Sequence, residues 1–248
     1  MELGIILLVV ILLLIFRDVI LKIITGKKSL FRSKKVINKE YNLKNYLDKN
    51  IYIDVLDTDV KILYHEELDM INIKTSYLSE EFPYLVKYDE DNNISIIKNN
   101  KENFTQVGHS GRILIKVPSK NTINSLNLKV KNGDIEFYDV DIDNLIIDAQ
   151  TGTVKIESLK AKNIEISKLN GDVSLNFVNT INLNLNIKDG NGDFVDVYGE
   201  NITSNVVNGD FIFANSLELE YEIKSLNVNT VNGKQKLNVN ANAINQIK

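Results

Sequence analysis

The sequence predicts an all-β protein: a parallel β-helix with rungs of about 20 residues, preceded by one transmembrane helix. Three observations support this prediction. A glycine motif recurs through the second half of the chain, apolar residues around it follow the spacing of short strands, and the amino terminus carries an apolar run.

The recurring motif is most often Asn-Gly-Asp followed by an apolar residue. Its glycines are separated by 19, 19, 21, 17 and 24 residues and are Gly133, Gly152, Gly171, Gly192, Gly209 and Gly233. A period near 20 is typical of a solenoid, in which one unit stacks repeatedly because it cannot bury its apolar face alone. Glycine accepts positive φ at little cost, so a turn is expected at each repeat boundary.

Apolar residues keep fixed offsets from these glycines. After Gly133, Gly152 and Gly171 they fall at offsets 2, 4, 7, 9, 12 and 14, with Thr180 the polar exception. A step of two is the alternation of a strand, and a step of three indicates a corner. Three pairs per repeat therefore predict a coil with three faces, right-handed by the usual chirality of parallel crossovers.

Stacking of these coils should align equivalent residues in two columns, which are Ile135, Val154 and Val173, and Leu145, Ile164 and Leu183. Because Asn-Gly is also a hairpin signal, an antiparallel meander is the alternative. Abundant Asn suits a stacked sheet, where its amide can form ladders between rungs.

The amino-terminal run is apolar from Leu3 to Phe16 and can continue to Ile24 if Lys22 extends to the interface. Residues 1–25 are therefore predicted to be a transmembrane anchor, with residues 3–24 in the membrane. The alternative is a cleaved signal peptide, which has a similar apolar length. No Lys or Arg precedes the run and no small-x-small site follows it, which favours the anchor.

Basic residues follow the run, whereas only Met1 and Glu2 precede it. They are Arg17, Lys22, Lys27, Lys28, Arg32, Lys34 and Lys35. The positive-inside rule then places the carboxy-terminal bulk in the cytoplasm, and the alternative is an extracytoplasmic or cell-surface location. Residues 26–48 are interpreted as a basic juxtamembrane linker, in which a weak helical stripe at 41–47 could cap the first rung.

Residues 49–248 are predicted to form the solenoid. The period breaks at 77–110, which is interpreted as an irregular insertion, either a protruding hairpin or irregular rungs. Beyond Gly192 the pattern loosens, because Asp196 and Ser204 occupy offsets that are apolar in earlier repeats.

The segment from Ile113 to Pro118, followed by the Asn-Gly-Asp repeats, resembles the bacterial β-strand-repeat family labelled "putative adhesin". The resemblance covers roughly residues 50–245. It implies an all-β repeat architecture, an amino-terminal membrane segment as in many such chains, and a cell-surface role. It implies no catalytic residues, because the family has none established.

The residue types needed for catalysis are scarce. There is no cysteine, which removes thiol chemistry and zinc-thiolate sites. His65-Glu66-Glu67 lacks the second histidine of a zinc motif, since position 69 is Asp69, and a surface turn explains it. Arg112 is the repeat region's one arginine and has no acidic cluster in the pattern, as polysaccharide cleavage would require. We therefore predict a protein that is not an enzyme and has no cofactor.

Four aspartates follow the repeat glycines and should line one edge of the stack: Asp134, Asp172, Asp193 and Asp210. A column of divalent cations is conceivable there, because hard cations bind carboxylates and turn carbonyls. Ordinary turn chemistry of Asp explains the same residues, so no metal site is predicted.

The net charge of −4 gives no reason to expect nucleic-acid binding. The favoured hypothesis is a membrane-anchored, adhesin-like solenoid that acts as a non-catalytic structural or interaction module in envelope stress or regulation. The alternative is a cell-surface adhesin or glycan-binding module, and a carbohydrate-active enzyme is the remote third. The partner, protein or glycan, is not identified by the sequence.

Overall fold

The computed structural model describes residues 36–44, 47–77, 83–89, 91, 93–98, 111–215 and 223–238. The predicted anchor at 3–24 and most of the basic linker lie outside these ranges. No helix within them is long and apolar enough to cross a bilayer. All the described strands belong to the compact unit Ile37–Lys248.

The described residues are almost entirely strand, with one short 3-10 helix at Lys120–Thr122. The strands are β1 Ile37–Leu43, β2 Lys49–Tyr64, β3 Ile71–Tyr77, β4 Tyr84–Tyr88, β5 Asn93–Lys98, β6 Gly111–Val117, β7 Ile123–Asn132, β8 Ile135–Thr151, β9 Val154–Asn170, β10 Val173–Asp189, β11 Gly192–Asn208, β12 Phe211–Ala214, β13 Ser225–Asn232 and β14 Gln235–Asn238.

The centre of the molecule is a stack of parallel rungs. Strands β8, β9, β10 and β11 each run for 17 residues and pair in parallel along nearly their whole length. Val154 pairs with Ile135 on one side and Val173 on the other, and Ile164 likewise pairs with Leu145 and Leu183. The parallel prediction and both predicted columns are confirmed, and the antiparallel alternative is wrong for these repeats.

Each long strand turns a corner at a residue with positive φ. These residues are Asp139, Ser158, Phe177 and Asp196, with φ between 52° and 59°. A second bend lies at a pair of consecutive outward residues, which in β9 are Lys162 and Asn163. A glycine turn then leads from each rung to the next. In β9 these bends separate a first face at residues 154–157, a second at 159–161 and a third at 164–168.

The glycine turns follow a stricter register than the sequence motif indicated. Positive φ occurs at Gly133, Gly152, Gly171, Gly190 and Gly209, so the turn glycine after Gly171 is Gly190. Gly192 instead pairs with Val173 at an inward position. A Cβ there would meet the Phe211 ring at 2.6 Å, so Gly192 provides room for core packing rather than a turn.

This register revises the interpretation that the repeat loosens beyond Gly192, which holds for Ser204 but not for Asp196. Ser204 pairs with Leu185 and points inward, where it is buried. Asp196 is the corner residue of its rung. The apolar pattern continues through Phe194, Val197 and Ile202 once offsets are counted from Gly190.

The amino-terminal end of the stack is covered by strands that pair in both parallel and antiparallel directions. β5 and β6 pair in parallel with β2, and β4 pairs antiparallel with β5, so described parts of 77–110 join the sheet as a hairpin. β3 pairs antiparallel with β6, and β1 with β3. The helical interpretation of 41–47 is therefore wrong for Tyr41 to Leu43, because β1 obtains its backbone hydrogen bonds from β3. A stripe that short cannot maintain a helix alone.

Candidate interaction surface

The bend that leads into the third face carries an asparagine ladder on its outward side. Asn163 donates its side-chain amide to Asn144 Oδ1 at 2.8 Å, Asn182 to Asn163 at 2.8 Å, and Asn201 to Asn182 at 2.9 Å. The four residues sit at equivalent positions of successive rungs, so each amide meets its neighbour one rung away. Ladders of this kind were predicted from the abundance of Asn, and the prediction is confirmed.

Two further outward columns run beside the carboxy-terminal half of the ladder. Asn184 pairs in register with Thr203 and then Asn227, and Asn186 with Asn205 and then Asn229. Together with the end of the ladder they form a grid of three rungs by three columns, which we call the amide face. Its residues are Asn182, Asn184, Asn186, Asn201, Thr203, Asn205, Ser225, Asn227 and Asn229.

The amide face is uncharged in all nine positions and exposed or half-buried throughout. Asn229 donates to Asn205 Oδ1 at 3.0 Å, so hydrogen bonding between rungs extends beyond the ladder. An asparagine amide has two N–H donors and two acceptor lone pairs. Because a ladder contact uses one of each at most, further donors and acceptors remain directed toward solvent.

A shallow groove of about 420 Å³ follows the ladder across the rungs. One wall is the ladder from Asn144 to Asn201, and the other contains Ile146, Glu165, Asn184 and Thr203. The groove therefore begins beside Ile146, passes the charged Glu165 and continues onto the amide face.

The second face and the two bends that border it have a different chemistry. Lys162 bonds to Asp143 at 2.6 Å, and Lys120 pairs with Asp139. The hydrogen bond from Lys120 holds the pKa of Asp139 below its usual range. Phe177 and Ile181, which are 56% and 43% exposed, lie on the next rung. A groove of about 790 Å³ here is lined by both signs of charge.

The first face carries a compact ion-pair network. Lys61 bonds to Glu136 at 2.9 Å and lies over the Tyr138 ring at 4.3 Å from its centroid. Lys155 bonds to Glu157 at 2.6 Å. The Lys61 contact lowers the pKa of Glu136. Lys61 and Glu136 neutralise each other between adjacent strands, and Lys155 and Glu157 do so within one strand.

Three of the four predicted aspartates lie in one column and bond to the backbone of the next rung. The N–H of Thr153 donates to Asp134 Oδ1 at 2.8 Å, that of Asn191 to Asp172 Oδ1 at 2.8 Å, and that of Lys234 to Asp210 Oδ1 at 2.8 Å. These carboxylates act as turn caps between rungs.

Asp193 departs from the predicted column. It pairs with Ser174 on the first face, because Gly190 and not Gly192 makes the turn of that rung. Asn191 takes the equivalent position and accepts from the N–H of Asp210 at 2.8 Å. Within the ranges that the structure describes, no three acidic, histidine or cysteine side chains are grouped as metal ligands would be.

His65 and Arg112, the other candidate residues from the sequence, lie apart from each other. His65 begins a turn, in which its N–H donates to Val117 O at 2.9 Å and its carbonyl accepts from Leu68. Arg112 is exposed and lies beside Asp59 in the sheet register. Asp59 accepts a hydrogen bond from the N–H of Asp134 at 3.1 Å, so Arg112 lies at the amino-terminal end of the aspartate column, apart from His65.

Lys168 was missed by the sequence reasoning. It occupies a third inward position on the third face, where adjacent rungs have Ala149 and Ile187, and it is only 3% exposed. No hydrogen-bond partner for its Nζ lies among the described residues. Burial lowers the pKa of Lys168 to about 8. The sequence does contain a signal for this position, because Ile164, Ile166 and Lys168 alternate along the strand. Lys168 lies 16 residues after Gly152, two beyond the last offset of the predicted core pattern.

Stacked parallel rungs with ordered outward columns define a parallel β-solenoid. The family described as Toastrack DUF4097 matches residues 49–246, and the chain belongs to that family.

Solved structures are similar to this chain at low sequence identity. A "putative adhesin" from Bacteroides fragilis has 20% identity and a TM-score of 0.50, over 83% of this chain and 98% of that one. A "putative cell adhesion protein" from Clostridium sporogenes has 11% identity and a TM-score of 0.40, over 82% and 99%. None of the curated proteins matches this chain.

Proposed function

We propose that this protein is a membrane-anchored, adhesin-like β-solenoid that acts as a non-catalytic interaction module. The observation that carries the proposal is that outward side chains are ordered by hydrogen bonds between rungs, as in the ladder from Asn144 to Asn201. Side chains fixed before binding lose less entropy when a partner arrives. A stack of such columns is suited to holding a partner over an extended surface.

The use of the acidic side chains supports a role without catalysis. Asp134, Asp172 and Asp210 hold backbone N–H groups of the next rung, and Asp143 and Glu136 pair with lysines. Each of these carboxylates already has a structural partner. The anchor would place the module at the envelope, where a role in stress sensing or regulation would fit.

A cell-surface adhesin or glycan-binding module is the second candidate. The uncharged amide face favours it, as does the name of the Bacteroides fragilis relative. The seven basic residues behind the apolar run favour the cytoplasmic side instead. The two candidates therefore differ in the side of the membrane on which the solenoid lies.

Position-specific photocrosslinking tests the interaction role in intact cells. A photoreactive amino acid would replace Ser174, Asn179 or Asn184, which are outward on the first, second and third faces, in the full-length protein. We expect adducts with a macromolecule to concentrate on one face, while buried Leu183, replaced in the same way, gives none. Absence of adducts from all three outward positions would contradict an interaction module.

Fractionation and proteolysis test the anchor and its direction. The full-length protein should sediment with membranes, resist salt and require detergent, because about 20 mostly apolar residues enter the bilayer. By the charge bias, protease should cut the solenoid only after the cells are permeabilised. Cleavage in intact cells would instead support the surface candidate. A mature amino terminus beyond residue 25 would show that the segment is a signal peptide.

A further inference from the structure

We propose that the amide face binds a neutral, hydroxyl-rich linear polymer, that is, an uncharged polysaccharide lying across the rungs. The inference rests on the proposed interaction role and names the surface and the class of ligand. It follows from the charge, the hydrogen-bonding capacity and the repeat of the nine residues.

The charge of the face argues against ionic ligands. Its nine positions contain only Asn, Ser and Thr, whereas the first face and the bend after the second face carry ion pairs such as Lys61 with Glu136 and Lys162 with Asp143. A phosphate, an anionic lipid or an acidic peptide would gain no Coulomb energy on an uncharged grid. Charge complementarity therefore favours an uncharged ligand.

The hydrogen-bonding capacity matches hydroxyl groups. A hydroxyl is both a donor and an acceptor, and each asparagine side chain offers both functions as well. The contacts from Asn201 to Asn182 and from Asn229 to Asn205 fix amides in the outer columns of the grid. A ligand with hydroxyls along its length can satisfy them without strong ionic contacts.

The repeat of the face matches a linear polymer. Equivalent side chains recur once per rung, at the spacing of about 4.8 Å between strands. The groove beside the ladder runs across the rungs and passes Asn184 and Thr203. On the amide face a chain lying in it would meet an amide or a hydroxyl at each successive rung, so that weak contacts add together along its length.

A protein partner fits the second face better than the amide face. Protein interfaces concentrate aromatic and other large apolar residues at their centre. Such residues are exposed at the bends that border the second face, at Phe177 and Ile181, and none occurs among the nine residues of the amide face. Protein binding at the amide face is therefore the competing outcome of the test.

The test uses the full-length protein purified in detergent, with dextran, glucomannan and galactan as neutral probes and polygalacturonate as the anionic comparison. Binding would be measured by affinity electrophoresis and calorimetry at low and high salt. We expect at least one neutral polymer to bind, with little dependence on salt because no charge on the face takes part. The variant Asn184→Asp, Thr203→Asp should weaken binding at least tenfold, while Ser174→Asp on the first face should not.

Thermal unfolding of each variant would show that binding is lost without loss of the fold. The inference would be overturned if no neutral probe binds, if polygalacturonate binds more tightly, or if the paired aspartate variant binds normally. Adducts in the crosslinking experiment together with any of these results would leave the interaction role standing and reject only the ligand or its surface. A crosslinked protein at Asn184 would likewise reject the polysaccharide.

Discussion

The carbonyl oxygen of Gly152 lies 2.0 Å from the position that a Cβ atom on Gly171 would occupy. Gly171 also has a φ of +118°, which side chains with a Cβ rarely adopt. Gly171→Val should therefore lower the free energy of unfolding by at least about 2 kcal/mol, through backbone strain and the clash with the rung below. Urea unfolding would measure the loss, and Ser174→Val, at an outward position of the next strand, is the control. Equal stability of the two variants would contradict the turn assignment.

A charge placed in the core should disrupt several rungs together. Leu183 is 2% exposed and pairs with Ile164 and Ile202, so the carboxylate of Leu183→Asp would be buried without a partner. The cost is several kcal/mol, and adjacent rungs lose the surface against which they pack. Circular dichroism during thermal unfolding should show a large loss of stability. The adjacent outward substitution Asn184→Asp should unfold near the wild-type temperature, and a normal melt for Leu183→Asp would mean that the face is not the core.

The sequence predicted the stack because its core pattern is local and repeated. Ile135, Val154 and Val173 share an offset from their turn glycines, and alternation alone places them inward. Gly190 was missed because Gly190 and Gly192 stand two residues apart, and Gly192 carries the better match to Asn-Gly-Asp. Only the pairing of β10 with β11 distinguishes the turn glycine from the glycine that accommodates Phe211.

The sequence predicted that asparagine ladders would form, but not where on the surface they would lie. The abundance of Asn indicated ladders, yet the amide face depends on which asparagines share a column, and the shift at Gly190 sets that register. The strand at Tyr41 to Leu43 could not be predicted, since its partner β3 lies about 30 residues further along the chain. Non-local pairing of that kind leaves no periodic signal in the strand itself.

Phe177 should be replaceable at its corner with a gain in stability. It holds a φ of +53° although 56% of it is exposed, so it combines a strained backbone with little burial. The equivalent corners carry Asp139, Ser158 and Asp196, of which Asp tolerates this conformation better than Phe. Phe177→Asn should raise the free energy of unfolding by up to about 1 kcal/mol.

The comparison is Phe194→Asn, which removes a fully buried ring and should be strongly destabilising. A loss of stability in Phe177→Asn as large as in Phe194→Asn would show that the corner ring packs as core.

Lys168 should make stability depend on pH in the alkaline range. Its pKa in the folded protein is lowered from the usual 10.5 to about 8 by burial, so folding disfavours the charged form. Below about pH 8 the amine is protonated in both states, and the folded state carries the full penalty. Above about pH 10.5 it is neutral in both, and the penalty is gone. The contribution of Lys168 therefore becomes less unfavourable as the pH rises between these values.

Lys168→Met keeps the length of the side chain and removes the charge, so it should stabilise the protein at pH 7 by up to about 3 kcal/mol. The difference between variant and wild type should shrink as the pH rises from about 8 to 10.5, because the wild-type amine is then neutral without cost. Urea unfolding of both proteins across that range measures it, and subtracting the curves removes the titration of all other groups. The matched control is Lys188→Met, since Lys188 is exposed and its replacement should change stability little. A Lys168→Met variant that is less stable than wild type at pH 7 would mean that the ammonium has a favourable partner and that the third inward column accommodates charge.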